Sequence, residues 1–303
     1  MNIYAAVAAF LIAFVYILFL RRMDVFEKER RIYTLIAFIL GCVFLFFVFA
    51  LQQIWPLQQM YSDEGPFLIR LQFHVIAVAL FEEIVKIMPL LIMLSFRNVV
   101  NEPFDFIKYA SVGAIGFATI ENVIYFNRYS IEIAESRAFY ACIMHMFTSS
   151  VIAYQMMYSK YKLKKSSWLG FIPGFILAIV IHGTYNALIG HNETYQIGIA
   201  FTIGLLILWG RLMNNALNQS PFFDETVARK TFFAGLFLLM GWGVIFLYVA
   251  ISLLLMEGAN KAIQFVQEGI FFGLLSGIGL FAALAFPKLR RGEWKSIFRR
   301  LGK

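Results

Sequence analysis

Leu80-Phe81-Glu82-Glu83-Ile84-Val85-Lys86-Ile87-Met88-Pro89 decides how this chain is read. Two adjacent carboxylates and a lysine interrupt an apolar run, Phe67 to Phe96, that is long enough to cross a bilayer. One ionisable side chain at mid-membrane costs roughly 2.5–3.5 kcal/mol on insertion scales, so three together mark a site. On a helix Glu82 and Lys86 share a face and can pair. Glu83 points about 100° away and needs another partner. Pro89 is expected to kink the helix just past the carboxylates and open a polar cavity there.

Composition sets the frame around that stretch. The 303 residues are 61% hydrophobic and 15% charged, with mean hydropathy +0.74, whereas soluble domains carry about 25% charged residues. The reading is an all-α, polytopic transmembrane helix bundle. Cys42 and Cys142 are the only cysteines, and both lie in apolar segments, which argues against a disulfide framework or a Cys-rich metal site. The net charge of +8 reports topology rather than nucleic-acid binding.

Nine segments approach the ~20 residues that a spanning helix needs. They run roughly from Ile3 to Leu20, Ile32 to Gln53, Phe67 to Phe96, Ile107 to Asn127, Ala138 to Tyr158, Trp168 to Gly190, Tyr195 to Met213, Phe232 to Leu255, and Ile270 to Phe286. The first lacks a basic leader and a small-residue cleavage site, so it reads as a retained span. With nine crossings, 21 of the 26 basic residues fall on one side, and the positive-inside rule puts the N-terminus out and the C-terminus in. The expected organisation is a two-span segment (1–66), a membrane core (67–190), a three-span segment (191–287) and a basic cytoplasmic tail (288–303). Trp294 to Leu301 reads as a basic, weakly amphipathic piece of that tail.

Polar residues inside the core fall at one depth. Glu121 and Asn122 lie on the fourth span, His145 on the fifth, and His182 with Asn186, one turn apart, on the sixth. Each lies about six to eight residues inside the outer surface, as does Glu82, which corresponds to roughly 10 Å. Four segments thus converge on one layer in the outer half of the membrane. Two histidines and a carboxylate can hold Zn²⁺ and leave a position for water. His145, His182 and Glu121 are the expected ligands if a metal is bound. Without a metal, a Glu–His pair can activate water, and His182 with Asn186 can stabilise an oxyanion. Lys86 is expected to neutralise Glu82 or Glu83, because a buried charge left unpaired is untenable. His74 and His191 read as bystanders near the outer interface, and Arg128 and Arg137 as interfacial anchors.

The four motifs resemble the PrsW family of intramembrane proteases, which belongs with the CAAX-prenyl-protease and bacteriocin-processing membrane enzymes. Glu82, Glu83 and Lys86 match its Glu-Glu-x-x-Lys. Phe117, Ala118, Glu121 and Asn122 match Phe-Ala-x-x-Glu-Asn, His145 matches its single histidine, and His182 and Asn186 match His-x-x-x-Asn. The prenyl-protease branch has Glu-Glu-x-x-x-Arg, so the position of Lys86 favours the PrsW branch. The resemblance implies hydrolysis of a peptide bond in a membrane-anchored protein, such as an anti-sigma factor-like regulator, from the extracytoplasmic side of a prokaryotic cell membrane. It also implies that Glu82 and Glu83 are catalytic with Glu121, His145, His182 and Asn186, supported by Lys86 and Asn122, and that Glu82 is the base. Two other classes fit buried Glu, His and Lys: an ion-coupled transporter, and a membrane scaffold that binds partners without turnover. The absence of a repeat relating two halves of the chain weighs against the transporter.

Overall fold

The structure, a computed structural model, describes residues 2–96, 98–228, 230–284 and 289–294. The described residues are helical, with no strand among them. The chain opens with α1 (Ile3–Met23) and α2 (Arg31–Ile54). A rod of three joined pieces follows: α3 (Phe67–Gln72), a π-helical turn (Phe73–Ala79) and α4 (Leu80–Ser95). Next come α5 (Pro103–Arg128) and the short α6 (Ala134–Ser136). A second π turn (Arg137–Ala141) leads into α7 (Cys142–Tyr161). The chain continues through α8 (Phe171–Ile189), α9 (Tyr195–Asn218), the short α10 (Glu225–Ala228), α11 (Thr231–Glu257) and α12 (Ala259–Leu284). Residues 295–301 of the expected amphipathic tail lie outside the described residues.

Two helices form the interior. Every residue of α5 from Pro103 to Thr119 is buried, as is every residue of α7 from Cys142 to Tyr154. The other long helices wrap around them and turn apolar side chains outward. Phe10 and Phe14 of α1, Ile39 and Phe46 of α2, Ile176 and Val180 of α8, and Leu274 of α12 are all exposed. A helix that is apolar on its outer as well as its inner face suits lipid, not water. Pro103 in the first turn and a reciprocal capping box between Glu102 and Asp105 start α5, satisfying amide groups that would otherwise be orphaned. Glycines set the α2–α5 crossing. A Cβ on Gly41 would run into the Gly113 carbonyl, and one on Gly116 into the Phe38 carbonyl. Small residues let helix backbones approach this closely in lipid.

Six stretches among the described residues are long and apolar enough to cross a membrane. They are α1, α2, α9, α12, Ser167–Ile189, which contains α8, and Glu225–Glu257, which contains α11. The other three expected spans are helical but differ for a physical reason. The run from Phe67 to Phe96 is divided by its π turn. The α5 and α7 segments carry polar groups where lipid contact would require apolar ones, and they are screened from the outside by the helices around them.

Contacts between connecting segments gather at two ends of the bundle. At one end Lys108 meets Asp24 (2.6 Å), the Tyr109 hydroxyl donates to Glu29 (3.3 Å), the Tyr161 hydroxyl donates to the Asn101 carbonyl (2.8 Å), and Ser220 donates to Glu102. At the other end the Asn2 amide donates to Asn127 (2.7 Å), Lys261 meets Glu132 (3.0 Å), and Asp63 lies beside His74 and His191.

Candidate active site

Four helices bring their polar side chains to one place in the interior. Glu82, Glu83 and Lys86 come from α4, Glu121 and Asn122 from α5, His145 and Thr148 from α7, and His182 from α8. The two imidazoles stand nearly perpendicular, with ring centroids 5.5 Å apart. Glu82, His145 and His182 each offer a ligand atom, and those atoms all lie within 4.8 Å of one another.

Lys86 and Glu83 form the fully buried base of the site. Lys86 Nζ is 2.5 Å from Glu83 Oε1, 3.0 Å from His145 Nδ1 and 3.3 Å from His182 Nδ1. The lysine therefore pairs with Glu83, three residues back. Of the two carboxylates that Lys86 was expected to neutralise, it meets Glu83 and not Glu82. Glu83 Oε1 also lies 2.7 Å from His182 Nδ1 and accepts from the Thr148 hydroxyl at 2.9 Å. These add partners from α7 and α8 to the one that Lys86 supplies on the same helix.

The shorter contacts favour one arrangement of the ring protons. A carboxylate only accepts and an ammonium only donates. His182 Nδ1 lies nearer Glu83 Oε1 (2.7 Å) than Lys86 Nζ (3.3 Å); with its proton directed to Glu83, a lone pair is left on Nε2. Lys86 donates to His145 Nδ1, which puts the His145 proton on Nε2, facing Glu121 Oε2 at 3.0 Å. Glu82 approaches from the other side, its Oε2 3.5 Å from His182 Nε2. That carboxylate oxygen is buried and has no hydrogen-bond partner among the described residues. Two acceptors, Glu82 Oε2 and His182 Nε2, thus face one another.

Arg137 is a correction to the sequence expectation. It is not an interfacial anchor: its Nη2 donates to Glu121 Oε2 and its Nε to Asn122 Oδ1, both at 2.6 Å. It begins the π turn that leads into α7, which lets it reach back across α5. Its guanidinium also lies over the Tyr125 ring, 3.8 Å from the centroid. Glu121 is thereby held between Arg137 and His145, and Glu82, not Glu121, joins the two histidines in the group of mutually close ligand atoms. Asn186 is half-buried one turn after His182, and its side chain makes no hydrogen bond among the described residues.

Pro89 also departs from expectation. It lies inside the continuous α4 helix, and the irregular turn falls on the other side of the carboxylates, at Phe73–Ala79. His74 and His191 are not isolated either, since both meet Asp63. Thr148 and Arg137 were missed as site residues. Thr148 follows His145 by three residues on the same helix, a spacing that places both on one face.

A family model described as PrsW family intramembrane metalloprotease matches residues 29–212. That stretch is more than half of the chain and contains every residue of the site. The chain belongs to the PrsW family. It is an intramembrane protease, and therefore an enzyme, built as a multi-pass membrane protein. Among curated PrsW proteins it is similar to Protease PrsW of Geobacillus kaustophilus, with 26% identity over 186 residues, covering 61% of this chain and 79% of that protein. Protease PrsW of Shouchella clausii is 27% identical over 209 residues, covering 68% and 93%. Protease PrsW of Oceanobacillus iheyensis is 29% identical over 136 residues, covering 44% and 60%. No solved structure matches the chain.

Proposed function

We propose that this PrsW-family protease cleaves a membrane-anchored protein at the Glu82–His145–His182 site, in the outer half of the bilayer. The facing acceptors Glu82 Oε2 and His182 Nε2 carry this reading. A water between them directs one proton to each and keeps a lone pair free for attack on the scissile carbonyl. Glu82 takes the proton as general base, a step that contributes ~10²–10⁴-fold in enzymes generally. Asn186 supplies a donor to the developing oxyanion. Glu83, Lys86 and Thr148 keep His182 in the required tautomer. Arg137 and Asn122 hold Glu121, which in turn orients His145. The substrate class proposed, on the family resemblance, is a regulator of the anti-sigma type anchored in a prokaryotic cell membrane.

The grouping of Glu82, His145 and His182 supports a second reading, in which a divalent ion, Zn²⁺ first, takes the place of that water. Two imidazoles and a carboxylate are zinc ligands, the Glu82 oxygen is unpartnered, and Glu83 holds His182 by Nδ1 in the way that carboxylates orient metal-binding histidines; His145 would exchange its contact with Lys86 or Glu121 for the ion. The ion would polarise the scissile carbonyl and acidify water. Glu82 would then be a ligand and not the base.

The experiment is cleavage, followed by mass spectrometry, of a panel of single-span membrane proteins by the purified, reconstituted chain, alongside its zinc content. Glu82→Gln is expected to slow cleavage by at least ~100-fold. Wild-type cleavage in that variant would overturn the site. Near-stoichiometric zinc lost in both His145→Ala and His182→Ala selects the metal reading; active protein without metal selects the glutamate one.

The membrane topology belongs to the same proposal. Nine crossings with the N-terminus outside assign alternate loops to opposite faces. The loop contacts at the two ends of the bundle support it. Asp24, Glu29, Asn101, Glu102 and Ser220 all belong to the inner side on that count, and Asn2, Asp63, Glu132, His191 and Lys261 to the outer.

A further inference from the structure

A second cluster with metal-ligand chemistry lies at the rim of the bundle. Asp63, in the loop between α2 and α3, places Oδ1 2.8 Å from His74 Nε2 and 3.5 Å from His191 Nε2. His74 is the second residue of the π turn, and His191 lies just past the end of α8. Their ligand atoms all lie within 4.8 Å of one another. None of the three belongs to the family's four motifs.

The geometry points to a divalent-cation site, with Zn²⁺ as the fitting ion, that clips the α2–α3 loop to the α8–α9 loop above the active site. Two imidazoles and one carboxylate supply three ligands and leave a fourth position for water. Tetrahedral ligands at about 2.0–2.1 Å from zinc stand roughly 3.4 Å apart. The two Asp63 separations already bracket that value. The second observation is His74 itself. Its Nδ1 is buried with no hydrogen-bond partner among the described residues, and its Nε2 meets the Asp63 carboxylate at 2.8 Å. Buried polar atoms without a partner are uncommon in folded proteins and call for a ligand or a water. Asp63 and His191 stay partly exposed, with side-chain exposures of 45% and 27%, so an ion can enter from solvent. The nearest cation along the rod is Arg70, one turn before His74 in α3; the Asp63 carboxylate lies between the imidazoles and opposes its charge.

The site is joined to the catalytic one by two short rods. His74 precedes Glu82 by eight residues and His191 follows His182 by nine, a separation of roughly 12–14 Å at the helical rise. Between the two levels the rods touch: a Cβ on Gly183 would strike the backbone and side chain of Val75. An ion held by His74 and His191 therefore fastens α8 to the π turn directly above the place where His182 meets Glu82.

Zinc binding to the full-length, chelator-stripped protein in detergent tests this without reference to cleavage. Zinc bound after dialysis against micromolar free metal is counted for wild type, His191→Ala and Asp63→Asn, each also in a His182→Ala background. Both rim substitutions are in surface loops, and size-exclusion profiles establish that the variants remain folded. The expected result is one zinc fewer per chain in either rim variant, with the same deficit when His182 is absent. In the His182→Ala background, added zinc should also raise the melting temperature, and the rim substitutions should abolish that rise. Equal zinc content in wild type and both rim variants, or a deficit seen only when His182 is intact, would overturn the rim site while leaving the catalytic reading untouched.

Discussion

Thr148 shows how one side chain can set the chemistry of another. Its hydroxyl donates to Glu83 Oε1 at 2.9 Å, beside Lys86 and His182. A hydrogen bond to a charged group is worth ~1.5–3 kcal/mol. Thr148→Val keeps the shape and removes the donor, so kcat is expected to fall about tenfold, with KM little changed and Thr148→Ser restoring the rate. Equal kcat in the Val and Ser variants would show that the bond does not matter. The identities of Glu82, Glu83, Glu121, His145 and His182 were legible in the sequence because ionisable residues stand out in apolar helices. Their pairing was not. Whether Lys86 meets Glu82 or Glu83 depends on rotamer and on the His182 ring that arrives from α8. Arg137 looked like an anchor because its position along the chain hides the π turn that aims it inward. His74 and His191 looked unpartnered because Asp63 lies in a loop, where hydrophobic periodicity carries no information.

At the scale of elements, the interior helices are the least apolar ones, the reverse of a water-soluble core. Runs of apolar residues announced α1, α2, α11 and α12, since their outward faces meet lipid. The closeness of α2 and α5 was less visible, because a lone glycine does not name the helix it will touch. Gly116 meets the Phe38 carbonyl, so Gly116→Leu must drive α2 and α5 apart. The expected result is a lower melting temperature in detergent, with α2 displaced from the helix that carries Glu121. An unchanged melting temperature would argue against the crossing. The start of α5 carries a pH dependence. Burial is the main force raising the Glu102 carboxyl from 4.5 to about 8, with Asp105, Asp24 and Glu27 adding to it and the Ser220 hydroxyl opposing it. The folded protein then keeps a proton that the unfolded chain releases above about pH 4.5. Stability from this group is complete below that pH, falls as pH rises toward 8, and levels off above it. Melting curves from pH 5 to 9 should show wild type losing stability relative to Glu102→Gln across that window. Parallel curves would mean that Glu102 ionises freely in the folded state.

For the whole molecule, charge and loop contact both bear on the proposed topology. Basic residues crowd the ends of α1 and α7 and the segments that follow them, and anionic lipid and the insertion machinery favour such segments on the cytoplasmic side. The contacts between loops depend on packing alone, yet they divide the connections into the same two sets. Removing any one of the second to sixth crossings would put Asp63 and His191, or Asp24 and Glu102, on opposite faces of a hydrocarbon layer ~30 Å thick. Such a loss does not fit contacts of a few ångströms between the loops at each end. Single cysteines test the parity in intact cells. Asn192→Cys, in the exposed loop after α8, is expected to react with a membrane-impermeant maleimide added outside. Ser166→Cys, exposed between α7 and α8, should react only after the membrane is opened. The reverse pattern would invert the protein and move the active site to the inner half of the bilayer. Labelling of both from outside would mean that α8 does not cross. His182 and His191 would then lose the depth difference that the proposed topology gives them.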